Sequence, residues 1–258
     1  MKQGIGFIDS GIGGLSLRTA MIELLPFEQI TYIADEAFSP YGEKTAEVIL
    51  KRCQLLTDEL IQKKCKVVVL ACNTATTQVI NQLRHDYSIP FVGIEPAIKP
   101  AALGSKTGVI GVLATKGTLN SQLFHQNSLL QSKKITIVEQ VGTGLIECVE
   151  NGKINDESTR NLLRSFLTPM IEKGIDRLVL GCTHYPFLEP VIQKIVPPEV
   201  EIIDNSRAVI QQLKRILTEQ GNLELGFERP KHLFFSTKTN SRLKNFLEKD
   251  EEFNFLSI

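Results

Sequence analysis

The side chains with chemistry to offer stand at two places that read alike. Residues 67–76, VVVLACNTAT, and residues 178–186, LVLGCTHYP, each carry a β-branched or leucine run into a small residue, a cysteine, and then hydroxyl and amide or imidazole groups. A free thiol has a pKa of about 8.5, so a sulfur at a strand tip can give a proton or, once ionised, take one. Two such groups suit a reaction that removes a proton from one face of a carbon and returns one to the other, the roles exchanging in the reverse direction. The plainer use of Cys72 and Cys182 is as small buried hydrophobes, which free cysteines usually are.

Nearby residue types widen the options. Asp9 and Ser10 follow the strand-like run GIGFID and can cap the next helix, reach a ligand, or do both. His184, two residues beyond Cys182, can pass on a proton, ligate a metal or serve a structural end. A zinc site built from Cys72, Cys182 and His184 is the metal-based alternative, although three ligands would have to converge from distant parts of the chain. Cys53 shares the apolar stripe of a helix with Ile49, Leu50, Leu56 and Leu60, and Cys148 lies beside Leu145 and Ile146, so both are expected in the core. Cys65 has no partner motif, and His85, His125 and His232 read as solvated or structural. Asp35 and Glu36 are expected to close a strand rather than touch a ligand.

Composition narrows the partners. Five cysteines, an odd number with no CxxC pair, argue against a disulfide framework, a ribbon-type zinc site or a thiol redox centre. Twenty-nine basic residues balance twenty-nine acidic ones with no long run of either sign, so no nucleic-acid or membrane-surface footprint is expected. The start MKQGIGFIDSGIGG lacks the apolar core of a signal peptide and no stretch is long enough to span a bilayer, which points to the cytoplasm. A small molecule is the expected ligand.

The positioning elements follow from the hydrophobic pattern. With 42% hydrophobic residues in 258, the chain can bury a large core, as one domain or two. Apolar runs such as GIGFID, ITYIA, VVVLA, GVIGVLA, KITIVEQ and RLVLG alternate with helical patterns, the βαβ rhythm of parallel sheets covered on both faces. A second echo links GFIDSGIGGLS at 6–16 with GVLATKGTLNS at 111–121, aligning Ser10 with Thr115, and its offset nearly equals that between the two cysteine motifs. A duplicated α/β unit is the simplest source of both echoes. The predicted division is residues 1–96, completed by 208–258, and residues 97–207. The tail KHLFFSTKTNSRLKNFLEKD is expected to add a strand and a helix to the first domain. Ligands of open parallel sheets bind beyond the carboxyl ends of the strands, which selects the loops at 9–14, 72–76, 115–118 and 182–186.

At this point the sequence resembles a known family, the cofactor-independent glutamate racemases of the aspartate/glutamate racemase superfamily. The matching strings are IDSGIGGLS, ADEAFSPYGEKT, ACNTAT, VGIEP, ATKGTLNS, IECVENG and LGCTHYP, in order from residue 8 to residue 186. The resemblance implies two pseudo-symmetric α/β domains with the active site in the cleft between them. It implies racemisation of glutamate by a two-base proton transfer without pyridoxal phosphate, flavin or metal, supply of D-glutamate for peptidoglycan, and a homodimer. Carried over residue by residue, the catalytic cysteines fall on Cys72 and Cys182, the assisting aspartate on Asp9, and the helpers of the second cysteine on His184 and Glu150. Substrate contacts fall on Ser10, Pro40, Tyr41, Gly42, Asn73, Thr74, Thr118 and Thr183.

Departures leave some points open. Where the family commonly has a Cys-Pro pair this chain has Gly142-Thr143, so whether Glu150 or Glu147 assists His184 is undecided. YGEKT replaces a commoner Tyr-Gly-Pro continuation. A sister activity such as aspartate racemase keeps both cysteines, and a binding module without turnover is the non-enzymatic alternative. A dinucleotide fingerprint is imitated by Gly11, Gly13 and Asp35, but its third glycine is Ser16 and Asp9 would set negative charge beside a pyrophosphate.

Overall fold

A computed structural model describes residues 3–132, 135–247 and 251–258. The chain divides into two compact units, residues 1–94 with 206–258, and residues 95–205. In chain order the first stretch of unit 1 holds β1 (Ile5–Asp9), α1 (Arg18–Leu24), β2 (Ile30–Ala34), α2 (Ala46–Gln62), β3 (Val67–Leu70), α3 (Asn73–Asp86) and β4 (Phe91–Gly93). Unit 2 holds α4 (Ile98–Gly104), β5 (Val109–Ala114), α5 (Lys116–Leu119), α6 (Gln122–Ser132), β6 (Thr136–Val141), α7 (Leu145–Glu150), α8 (Glu157–Glu172), β7 (Arg177–Gly181), α9 (Glu189–Ile192) and β8 (Glu201–Ile203). The chain then returns to unit 1 with α10 (Ser206–Glu219), β9 (Leu233–Ser236) and β10 (Glu252–Phe255).

Each unit is built on a parallel sheet. The six-stranded sheet of unit 1 runs β10-β9-β2-β1-β3-β4 and the four-stranded sheet of unit 2 runs β6-β5-β7-β8. Taken from the first strand of each unit, β2-β1-β3-β4 and β6-β5-β7-β8 are the same order, so β1 corresponds to β5 and β3 to β7. All residues of β1, β2 and β3 are buried, as strands covered on both faces must be. The glycines that head the second sequence echo have a packing reason. A Cβ on Gly6 would lie 2.6 Å from Leu60 of α2, and one on Gly111 would lie 2.7 Å from Met170 of α8. In each unit the helix that precedes the third strand rests directly on the backbone of the first.

Among the described residues no helix is long and apolar enough to cross a membrane. The tail differs from its prediction. β9 forms and pairs with β2, but among the described residues beyond it a 3-10 turn, Leu243–Phe246, stands in place of the expected α-helix, and a further strand, β10, pairs with β9. The apolar run ends on Phe246-Leu247, too short to lay an α-helix against the sheet, whereas EFNF alternates as an outer strand does.

Register brings the carboxyl ends of the inner strands level. Asp9 pairs with Ala34, Ile8 with Leu70 and Ala34 with Ser236, so Ser10, Asp35 and Thr237 leave the sheet side by side. There Asp35, fully buried, accepts two bonds from Arg52, 2.9 Å from Nε to Oδ2 and 2.8 Å from Nη2 to Oδ1. Tyr41 Oη donates to Oδ2 at 2.6 Å and Thr237 Oγ1 to Oδ1 at 2.9 Å. Next to it Glu36 accepts from the hydroxyls of Ser236 and Ser241 and from the Arg242 N–H. The two carboxylates thereby tie the 35–43 loop to α2 and to the returning chain. Arg52→Met would leave Asp35 buried without its cation, at a cost of about 3–5 kcal/mol, whereas adding Asp35→Asn should restore much of the loss. Urea unfolding followed by circular dichroism measures both, and a loss below about 1 kcal/mol in the single variant would contradict this role.

Candidate active site

In unit 1 the candidate residues gather at the junction of β3 and α3 and in the loop after β1. β3 ends at Leu70 and α3 begins at Asn73, leaving Cys72 as its extended cap residue, with φ −134° and ψ 117°. The positive end of α3 therefore lies at the residue that carries the sulfur. Ser10 Oγ is 3.9 Å from Cys72 Sγ, and both residues are buried. Asp9 is fully buried, and its Oδ2 accepts the N–H of Gly14 at 3.0 Å and of Gly11 at 3.3 Å. Tyr32 Oη donates to Gly11 O at 2.9 Å and lies 3.2 Å from the same Oδ2. Burial, and then the neighbouring Asp9 carboxylate, hold the Tyr32 phenol well above its ordinary range, so it remains a donor.

Asn73 donates from Nδ2 to Ile94 O at 3.1 Å, while its buried Oδ1 has no partner among the described residues. Thr74 is buried beside it, and Tyr41 is buried by its bond to Asp35, with Pro40 and Gly42 half-buried on either side.

In unit 2 the corresponding loop after β7 holds Cys182, Thr183 and His184, all buried. Cys182 Sγ lies 3.8 Å from His184 Nδ1, and His184 Nε2 lies 3.3 Å from Glu150 Oε1 at the end of α7. Of the two glutamates left open by the sequence, Glu150 is the one within reach of the imidazole. A carboxylate at Nε2 favours the tautomer with its proton there, which frees Nδ1 to accept from the thiol or, in the imidazolium, to donate to the thiolate. After β5, Thr115 Oγ1 accepts the Thr118 N–H at 3.1 Å and donates to Thr118 Oγ1 at 3.0 Å, so the threonine aligned with Ser10 caps a helical turn and holds Thr118.

The other thiols stand apart from these groups. Cys53 is fully buried, and burial pushes its thiol well up; burial also raises Cys65 to about 11. Cys148, expected in the core, is only half-buried, because α7 turns Leu145 and Val149 inward, one helical turn apart, and leaves the intervening face outward. Among the described residues no group of three or more His, Cys, Asp and Glu side chains is gathered as a metal-binding set.

Three positioning residues were not singled out in the sequence. Tyr32 is the one phenol of a fully buried strand, and such a hydroxyl must find a partner; that was its available signal. Arg52 sits on the buried stripe of α2, where an unpaired guanidinium would be too costly. Tyr185, fully buried beside His184, donates to Gly142 O at 3.1 Å, and burial, then Cys182 and Glu147, push its phenol well up.

In each unit a buried thiol and its polar neighbours thus stand just beyond the carboxyl end of a parallel strand. Residues 16–213 match the family model described as Asp/Glu/Hydantoin racemase. A glutamate racemase of Ectopseudomonas mendocina is 46% identical over 214 residues, 83% of this chain and 81% of that protein. The crystal structure of glutamate racemase isoform RacE1 from Bacillus anthracis superposes with a TM-score of 0.88 at 31% identity, covering 99% of this chain and 98% of that one. That of the Francisella tularensis glutamate racemase in complex with D-glutamate gives 0.86 at 26% identity, again over 99% and 98%. The chain belongs to the Asp/Glu/hydantoin racemase family, and it is an isomerase, an amino-acid racemase.

The Gly142 contact supplies a test of the unit 2 arrangement. A Cβ there would meet Tyr185 Oη at 2.3 Å and Cζ at 2.8 Å, contacts only a shift of the rigid ring relieves. Gly142→Ala should cost about 1–3 kcal/mol in urea unfolding, the usual range for overpacking. Because the displaced ring adjoins His184, kcat should also fall, measured by circular dichroism of substrate turnover. Unchanged stability and turnover would contradict the packing.

Proposed function

We propose that the chain interconverts L- and D-glutamate by direct proton transfer at the α-carbon, with Cys72 and Cys182 as the two acid/base groups. The observation that carries this reading is the equivalence of the two sulfurs. Cys72 follows β3 and Cys182 follows β7, the matching strands of two sheets with one order, and each sulfur has a polar partner within 4 Å. The relatives named glutamate racemase support the choice of substrate.

In one direction the thiolate of one cysteine takes the α-proton, the C–H bond breaking as S–H forms, and the other thiol protonates the opposite face and becomes the thiolate. Reversal exchanges the roles, Cys72 acting on D-glutamate and Cys182 on L-glutamate. The mechanism requires both sulfurs to reach one α-carbon from opposite sides. Asp9 serves the Cys72 side, and His184 with Glu150 manages the proton at Cys182. An α-proton is a very weak acid, so preorganised donors around the carboxylate must stabilise the carbanion-like transition state. Ser10, Asn73, Thr74, Thr118 and Thr183, with the backbone of Pro40, Tyr41 and Gly42, supply such groups, and a substrate ammonium would satisfy Asn73 Oδ1. No cofactor enters this scheme. The reading extends to a cytoplasmic homodimer that supplies D-glutamate for peptidoglycan.

The test follows deuterium entry at Cα of each glutamate enantiomer in heavy water, with aspartate as control and a chelator present. Exchange with glutamate, undiminished by chelator, is expected; exchange with aspartate alone would reassign the substrate, and none with either would leave a binding module. Cys72→Ala and Cys182→Ala should each lower racemisation by at least about 10²-fold, the lower range for losing a positioned acid/base group. Full activity in either variant would overturn the two-thiol assignment.

A further inference from the structure

We propose that unit 1 carries a second ligand site, a cavity of about 390 Å³ at the amino-terminal edge of its sheet, which takes an organic anion: a phosphate or carboxylate on an apolar body. Its lining includes Ile30, the first residue of β2, and His232 and Glu251, each immediately before a strand. Asp9 and Cys72 lie at the carboxyl edge, so the length of a five-residue strand, about 13 Å, separates the cavity from the candidate active site. The volume falls within the range of about 300–1,000 Å³ typical of small-molecule pockets.

One wall is apolar. Met21 and Ile22 on one face of α1, with Leu25, Pro26 and Pro230, present hydrocarbon to the space. The charged groups leave an imbalance. Glu28 is neutralised by Lys66 at 2.8 Å and accepts the Glu224 N–H at 2.8 Å, and Glu251 is paired with Arg18 at 2.8 Å. Arg229 and Lys231 also line the cavity, and neither has a carboxylate partner among the described residues. Both lining acids are thus matched by cations while two further cations are not, which selects an anion. His232, between them and the strand, accepts the Ile30 N–H on Nδ1 at 3.3 Å. That bond, with Gln29 Nε2 donating to Lys231 O at 2.9 Å, fixes the cationic segment against the start of β2. The wall is therefore formed before any ligand arrives.

The chain has three methionines, of which Met21 lines the cavity and Met170 is buried in unit 2, so methyl-labelled methionine reports the site and carries its own control. The full chain, saturated with glutamate, is titrated with phenyl phosphate, and with inorganic phosphate and phenol in parallel. Phenyl phosphate should shift the Met21 resonance saturably and leave Met170 in place, with inorganic phosphate and phenol each binding at least tenfold more weakly. The double variant Arg229→Ala/Lys231→Ala should weaken phenyl phosphate at least tenfold, and raising the ionic strength should weaken it in the unaltered chain. A Met21 signal that never moves, affinity unchanged in the double variant and at high salt, or inorganic phosphate binding as tightly as phenyl phosphate would each overturn the proposal. These outcomes do not depend on racemisation, so the site can fail while the proposed reaction stands.

Discussion

A carboxylate buried at the end of a parallel strand needs donors in place of the water it has lost, and Oδ2 of Asp9 finds them in the turn that follows it and in the neighbouring strand. Gly11 and Gly14 supply N–H groups and Tyr32 its hydroxyl, so one side chain holds the loop after β1 against β2. Ser10 belongs to that loop, and its hydroxyl reaches Cys72 only because the loop is held there. Desolvation makes the arrangement strict: a buried charge without such donors would be too costly to keep. The conformation of the loop beside the first sulfur follows from one carboxylate oxygen and the donors that meet it.

Unit 2 reaches a comparable rigidity by other means. Its sheet has the same strand order, yet the position equivalent to Ser10 is Thr115, whose hydroxyl is spent on capping a turn and holding Thr118. The polar support for Cys182 comes instead from the far side of its own loop, through His184 to Glu150 on α7. Tyr185 fixes that loop by reaching Gly142 just before α7 begins. The absent side chain at residue 142 is what leaves room for the phenol.

Much of this was legible in the sequence because it is local. Strands of the parallel sheets announce themselves as unbroken apolar runs, and the cysteines stand within two residues of where those runs stop. The glycines of the echo could be aligned, but their purpose could not be seen, since Leu60 and Met170 lie more than fifty residues away along the chain. The same limit hid Asp35. It reads as a strand closer, yet it is the centre of a network whose partners include Thr237, at the other end of the sequence. Hydrogen bonds between residues some two hundred positions apart leave no periodic trace. The tail failed for a related reason: propensity suggested a helix, but an open edge on β9 offered a row of backbone donors and acceptors, and pairing with β10 satisfied them.

On the proposed mechanism the unlike surroundings of the two sulfurs are intelligible. Mirror-image reactants need equal acid/base atoms, since the reaction must run both ways at comparable cost. They do not need equal neighbours, because the carboxylate, ammonium and side chain of glutamate present different charges to the two faces of the α-carbon. A hydroxyl beside one thiol and an imidazole with its carboxylate beside the other are two different answers to those unequal fields. The shared strand order places the matching strand ends; on the proposed mechanism the asymmetry of the substrate accounts for why the residues next to them differ.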